Sequence, residues 1–400
     1  MTFVYFHINF IHNPYLRIYF HSMIMKEIKM LDLTGQYERI RNEVDEAIAD
    51  VVKAGNFIRG KQIKIFQEAL SEYMHVPYVI PCGNGTDALQ VALMSLDLQP
   101  GDEVITVPFT FISTIEVIRL LGFKVVLCDV DPDTFNIDIV KLKDLISDKT
   151  KVILPVHLFG QCVDMDSINE LAEKHGLFII EDAAQALGTN YIYRNGEKKK
   201  AGTIGTIGCT SFFPSKNLGA WGDGGAIFTG NSTYGKKMQA IVNHGMEKKY
   251  YYEYVGVNSR LDTLQAAILN VKLKYLDDNI KAKVKIADLY DEKLKAIPGI
   301  QLPKRINWSD HSFHQYTIKV FDNRRDILKN YLQERNIPSM VYYPLPAHLQ
   351  KAYADLGYRK GDFPVSEELC SQVLSLPIYP ELEEEQLCYI CETVKECICS

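Results

Sequence analysis

Residues 103–130 read EVITVPFTFISTIEVIRLLGFKVVLCDV. "EVITVPF" is a short apolar run, "FISTIEVIRLLG" carries apolar residues at helical spacing and stops at Gly122, and "KVVLCDV" is a second short apolar run. Strand, helix and strand in this order make a βαβ unit, with parallel strands and a helix packed across them. The alternation continues. "DIVKLKDLI" and "MDSINELAEKHG" predict helices, and "KVILPVHLFG", "LFIIEDAA", "IGCTSFF" and "GGAIFTG" predict strands. Apolar strands spaced by helices predict an α/β fold, a mostly parallel sheet covered on both faces. Upstream, Ile40, Val44, Ile48 and Val51 share one face of an amphipathic helix, and "KIFQEALSEYMH" predicts another.

Downstream, one long helical stretch is expected from about residue 259 to 297, ended by Pro298-Gly299. "SFHQYTIKVF", "RRDILKNYLQERN" and "SMVYYPL" then predict strand, helix and strand of a smaller α+β unit. The expected division is a large domain over 25–275 and a small C-terminal domain over 276–400. Residues 1–24 are aromatic-rich, without the charge pattern or cleavage site of a signal peptide. Met25 and Met30 offer alternative starts, so this stretch is expected to lie outside the fold.

The chain has 400 residues and a formal charge of −6, with no basic stripe to suggest nucleic acid. No run of 18 or more apolar residues suggests a membrane span. Nine scattered cysteines, an odd number, fit reduced thiols in a cytoplasm. Cys388, Cys391, Cys397 and Cys399 have a spacing that can be read as a zinc site. Leu387, Cys391, Val394 and Ile398 also recur at helical spacing, which favours a buried helix face, and no metal is expected.

The chemistry is carried by "TSFFPSKNLGAWGDGGAIFT" (210–229), where Lys216 stands among glycines, aromatics and small residues with Asp223 as its one near acidic neighbour. Burial in such a setting lowers an amine's pKa, and a neutral amine forms a Schiff base with a carbonyl. The alternative is a lysine that snorkels out of a turn. In an open parallel sheet ligands bind at the carboxyl ends of strands. Four features fall there: "CGNGTDAL" (82–89) opening a helix, "FTF" (109–111), "IIEDAAQALG" (179–188) with Asp182, and the Lys216 loop with Ser211 before it. Pyridoxal 5'-phosphate (PLP) needs an amine for its aldehyde, a carboxylate for its pyridine nitrogen, a phosphate cradle and a flat side chain beside its ring. Lys216, Asp182, the Gly85-Thr86 turn with Ser211, and Phe111 fill those roles. Taken singly, Asp182 and Ser211 also suit caps, and Phe111 suits a core.

On "GNGTDAL", "PFTF", "VHLFGQ", "EDAAQALG", "SFFPSKNLG", "GDGGAI" and "GVNSRLDTLQAAIL", over about residues 28 to 395, the chain resembles the DegT/DnrJ/EryC1/StrS sugar aminotransferases. Within them it is most similar to the enzymes that aminate C3 of a UDP-linked 2-acetamido-3-keto-hexuronic acid for O-antigen sugars. The resemblance implies the aspartate-aminotransferase-type fold, with Lys216 carrying the cofactor and Asp182 paired with its pyridine nitrogen. It implies Gln185, one helical turn on, at the ring hydroxyl, and Gly85, Thr86 and Ser211 at the phosphate. It places Asn258 at the phosphate of a neighbouring subunit in a homodimer, and Arg260 and Tyr343 at the substrate, with glutamate as amino donor. The pattern departs at Tyr342-Tyr343, where a His-Tyr pair is expected. Amination at C3 or C4 of another UDP- or dTDP-keto-deoxysugar is the alternative. From a different class, a NAD-dependent oxidoreductase is suggested by Gly83-x-Gly85-x-x-Ala88, which leaves Lys216 and Asp182 without a role.

Overall fold

The computed structural model describes residues 26–400, so the expectation for 1–24 lies outside the described residues. Seven strands form the large sheet: β1 (Tyr78–Cys82), β2 (Glu103–Thr106), β3 (Lys124–Leu127), β4 (Thr150–Ile153), β5 (Phe178–Asp182), β6 (Ile207–Ser211) and β7 (Gly225–Thr229). Their spatial order is β1-β7-β6-β5-β4-β2-β3. The β3, β2, β4, β5 and β6 neighbours run parallel, while β7 is antiparallel to both β6 and β1.

The apolar runs explain why both faces are covered. Successive side chains of a strand point to opposite faces. Val104, Val125, Val152 and Ile180 enter one apolar core, and Ile105, Val126, Ile153 and Ile179 enter the other. The first core is closed by helices α3 (Gly85–Met94), α4 (Ser113–Leu120) and α7 (Ser232–Ile241), and the second by α5 (Ile139–Leu145) and α6 (Met165–His175). Helices α1 (Leu33–Ala54) and α2 (Lys61–Met74) pack against α8 (Thr263–Leu273).

The expected single helix over 259–297 is two, α8 and α9 (Leu276–Leu294), divided at Lys274-Tyr275. No glycine or proline marks the break. It arises because the two halves serve different cores: α8 buries Ala266 and Leu269 with α2, whereas α9 buries Ile286, Tyr290 and Leu294 in a separate cluster. That cluster holds the three-stranded antiparallel sheet β8 (Ile300–Gln301), β9 (Tyr316–Val320) and β10 (Val373–Leu376). Helices α10 (Arg325–Glu334) and α12 (Glu384–Cys399) cover it, and α11 (Pro364–Gln372) leads into β10. Leu387, Cys391, Val394 and Ile398 form the buried face of α12. Ile28 joins the same cluster, and Gln386 of α12 donates from Nε2 to the carbonyl of Lys26 at 3.1 Å. The start of the described chain is thereby strapped onto the small sheet's core.

Strand β7 runs tight against the start of α3. A Cβ at Gly225 would lie 2.4 Å from the carbonyl oxygen of Asn84, a backbone atom that has no room to yield. Gly225→Ala is expected to destabilise the protein by about 1–3 kcal/mol, the usual range for overpacking. The midpoint of urea unfolding checks this.

Candidate active site

Adjacent parallel strands β5 and β6 fix the site's two sides. Asp182, the last residue of β5, is in register with Cys209 of β6. The chain then leaves β6 through Ser211 into the Lys216 loop. That loop is pinned at many points. Phe212 N–H donates to Gly224 O and Ala220 N–H to Phe212 O, each at 2.7 Å, and Lys216 N–H donates to Phe213 O at 2.8 Å. The Lys272 ammonium of α8 donates to Gly219 O, and Gln265 Oε1 accepts from Trp221 N–H at 2.8 Å. A Cβ at Gly219 would meet Pro214 O at 2.3 Å, so only glycine allows this fold of the loop.

Asp182 is 6% exposed. Its Oδ2 accepts from Thr114 Oγ1 at 2.8 Å and its Oδ1 from Ala184 N–H at 3.2 Å. Burial pushes its pKa up, and those two donors with the positive charge of Lys216 oppose the rise. Lys216 keeps intermediate exposure, into a cavity that it lines. Desolvation still lowers its pKa to about 8, against the opposing pull of Asp182. The acidic partner is therefore Asp182, distant in sequence. Asp223, the neighbour along the chain, is exposed, and Lys216 does not snorkel out of its turn.

The helix α3 begins beside Ser211. Asn84 caps it, its Oδ1 accepting from Asp87 N–H at 2.8 Å. The N–H groups of Gly85 and Thr86 find no acceptor among the described residues. A Cβ at Gly85 would stand 2.7 Å from the Cβ of Ser211, so glycine lets the two segments meet. Unpaired N–H groups at a helix N-terminus beside a hydroxyl make a cradle for an anion. Phe111, 56% exposed, presents its ring near Tyr343, with centroids 6.4 Å apart. Gln185 donates from Nε2 to the Tyr343 hydroxyl at 3.1 Å and accepts at Oε1 from Phe159 N–H at 2.8 Å. The segment that carries Gln185 is a run of turns instead of the expected helical turn, because Ala183 N–H and Ala186 N–H bond to Cys209 O and Ala183 O.

Asn258 and Arg260 do not line the Lys216 cavity. Asn258 is exposed and bridges Asn243, whose Oδ1 accepts from Arg260 Nη1 at 3.1 Å. Ser259 between them accepts at Oγ from Gly83 N–H at 2.9 Å, which holds this segment against the start of α3 in its own chain. Sequence reasoning missed Thr114, and it missed Lys283 and His314, which line the cavity with Lys216. For Lys283 a signal existed: Asn279 and Lys283 interrupt the buried stripe Leu276, Ile286, Ala287, Tyr290 of α9.

The chain matches the DegT/DnrJ/EryC1/StrS aminotransferase family over residues 38–395. It belongs to that family. It is 44% identical over 371 residues to a pleiotropic regulatory protein of Geobacillus stearothermophilus, covering 92% of this chain and 98% of that one. It is 42% identical over 364 residues to the UDP-2-acetamido-2-deoxy-3-oxo-D-glucuronate aminotransferase of Pseudomonas aeruginosa, covering 91% and 98%. Among solved structures, an aminotransferase of the family from Brucella abortus superposes with a TM-score of 0.88 at 39% identity, covering 93% and 100%. The ntda protein of Bacillus subtilis, solved with bound cofactor PMP, superposes at 0.82 with 34% identity, covering 90% and 82%. The large mostly parallel sheet is thus the PLP-dependent aminotransferase fold, and the chain is an aminotransferase that uses PLP.

The residues present fit that cofactor. Asp182 is a buried carboxylate with no cationic hydrogen-bond partner among the described residues, the environment a protonated pyridine nitrogen completes. The Gly85-Thr86 N–H groups lack an acceptor, as a phosphate site requires. Among the described residues no group of side chains is suited to a metal.

Because desolvation brings Lys216 to about 8, its neutral amine appears as pH rises through about 8, well below the ordinary lysine value of 10.5. The rate at which cofactor-free protein captures PLP is expected to climb through that pH and level off above it. Growth of the visible absorption band, followed by stopped flow, measures this; a midpoint near the ordinary lysine value would overturn the assignment.

Proposed function

We propose that this enzyme moves an amino group from glutamate to the keto group of a nucleotide-linked sugar, at C3 of a UDP-2-acetamido-3-keto-hexuronic acid destined for a surface polysaccharide of the O-antigen kind. The observation that carries the reaction is the buried Asp182 and Lys216 pair, set at the carboxyl ends of neighbouring strands beside an anion cradle. The sugar class and the C3 position are supported by the Pseudomonas relative. The intact pair weighs against a purely regulatory role of the kind named for the Geobacillus relative. We assign the cofactor body to residues 25–275 and the small domain to 276–400, and place the enzyme in the cytoplasm; no helix of the described residues is long and apolar enough to cross a membrane.

When bound, PLP supplies an aldehyde for amine capture and an electron-withdrawing ring. Each residue then has a task. Lys216 Nζ would hold the cofactor through its aldehyde and, when free, would act as the base and acid for the donor's α-proton. Asp182, whose Oδ2 is oriented by Thr114, would keep the ring nitrogen protonated. Gly85, Thr86 and Ser211 take the phosphate. Phe111 would pack against the cofactor ring and Gln185 would bond its hydroxyl, while Gln185 holds Tyr343, the residue assigned to the substrate, through its hydroxyl. The test is purified enzyme with glutamate against a panel of 3-keto and 4-keto nucleotide sugars. Turnover of the 3-keto uronate and loss of both activity and the visible band in Lys216→Ala are expected; turnover of 4-keto sugars alone would overturn the C3 reading.

We further assign the active unit to a homodimer in which Asn258 and Arg260 serve the partner's site. Phe57, Ile58, Phe213, Tyr250, Tyr251 and Val255 are large apolar or aromatic side chains left exposed, the composition of an interface. Arg260 suits a uronate carboxylate. Mixing Lys216→Ala with Arg260→Ala subunits, each nearly inactive alone, is expected to restore up to about half the activity per hybrid dimer, since one of its two sites is whole. No recovery under proven subunit exchange would return Arg260 to its own chain's pocket.

A further inference from the structure

The cavity beside Lys216 has a second buried lysine that the transamination chemistry leaves unused. Lys283 is 7% exposed, on the face of α9 that turns inward. Its Nζ donates to Asn217 Oδ1 at 2.5 Å, the one acceptor it has among the described residues. An ammonium has three donors, so two remain. No carboxylate pairs with it, and desolvation alone lowers its pKa to about 7. His314 is 8% exposed, and its Nδ1 is buried without a hydrogen-bond partner. Asn279, one turn before Lys283 on α9, accepts at Oδ1 from Arg39 Nη2 at 2.9 Å, which turns its Nδ2 side free to donate. Lys216, Lys283, His314 and Asn279 line one cavity of about 60 Å³, and no acidic residue is among its described lining.

Buried charges are paired or hydrogen-bonded in folded proteins, because an isolated one is costly. A pocket of donors with no acid, whose lysine has one acceptor, is unfinished until an anion enters and favours the charged form of that lysine. The cavity has room for a small polar group, and its donors suit a carboxylate. The phosphate cradle is elsewhere, at Gly85, Thr86 and Ser211.

We propose that Lys283, with His314 and Asn279, forms a carboxylate-binding subsite that holds a reactant against Lys216. Two reactants can bring that group, the amino donor glutamate and the uronate of the sugar. The inference rests on the aminotransferase reading for its reactants, and its test separates the two.

Lys283→Met removes the charge and keeps the stem; Lys283→Gln serves as a second variant. Both are compared with the parent holoenzyme. The visible band is expected to stay unchanged, and the thermal midpoint not to fall, because a desolvated charge has been removed. The glutamate half-reaction is followed by loss of the band. The sugar half-reaction is followed by its return, with the 3-keto uronate and with the analogue bearing a hydroxymethyl group at C5 in place of the carboxylate. Loss of a hydrogen bond to a charged group predicts a constant weakened about 10- to 100-fold. Weakening for glutamate alone assigns the subsite to the donor. Weakening for the uronate and not for its neutral analogue assigns it to the sugar, and weakening in both arms makes it shared. Unchanged constants in both, or equal losses for uronate and neutral analogue with a lowered thermal midpoint, would overturn the proposal. Binding of glutarate, an unreactive dicarboxylate, measured by calorimetry on parent and variants, tests the subsite even if no keto sugar in the panel turns over.

Discussion

The site depends on withdrawing two opposite charges from water at the carboxyl ends of two central strands. Asp182 ends one strand and Lys216 stands in the loop after its neighbour, and desolvation pushes their pKa values toward each other, the carboxyl up and the ammonium down. Each partly restores the other's charge. Neither has a salt bridge that would lock it, so both stay available. The preceding residue shows the contrast. Glu181 is fully buried too, but its oxygens accept from Ile204, Gly205 and Gly202 N–H groups at 2.6, 2.6 and 2.8 Å and from His157 Nε2 at 2.9 Å. His157 Nδ1 accepts from Val163 N–H at 3.2 Å, which leaves the proton on Nε2. Glu181 is saturated and structural. Asp182, the next residue of the same strand, is left two donors short of that, which is why the cofactor's ring nitrogen is assigned to it.

This contrast shows how far the sequence could be read. The βαβ alternation in 103–130 fixed the class of sheet, because buried parallel strands need continuous apolar runs and their side chains do divide between two cores. Lys216 and Asp182 were legible for a similar reason: each breaks an apolar or glycine-rich context that gives it no local partner. What was illegible depended on packing between distant segments. The split of 259–297 into α8 and α9 has no glycine or proline at the join and comes from two cores claiming two halves of one apolar pattern. Thr114 looks like any first-turn threonine until its strand neighbour is known. Lys283 did leave a trace, a lysine on the buried stripe, yet its meaning required seeing what lay across the cavity.

The division between what could and could not be read follows the two functions of the site. The side proposed for the cofactor is built from short contiguous segments, the start of α3, the end of β5 and the loop after β6, each fixed by strand register and by glycines that permit backbone contact. These segments have little freedom to vary without losing the geometry, so they stand out as compact motifs. The opposite wall of the cavity is assembled from pieces far apart along the chain: Leu31 near its described start, Asn279 and Lys283 on α9, His314 before β9, and Tyr342 after α10. The strap that ties Ile28 and Lys26 to the small sheet's core brings the first of these into place. A substitution on that wall changes charge or shape facing the reactant without disturbing β5 or β6. Tyr342 stands on that wall, and burial raises the pKa of its phenol, so at neutral pH it remains an uncharged donor. Among the described lining, Lys283 is the one lysine besides Lys216, so a change there alters the charge of the cavity while leaving β5 and β6 in place.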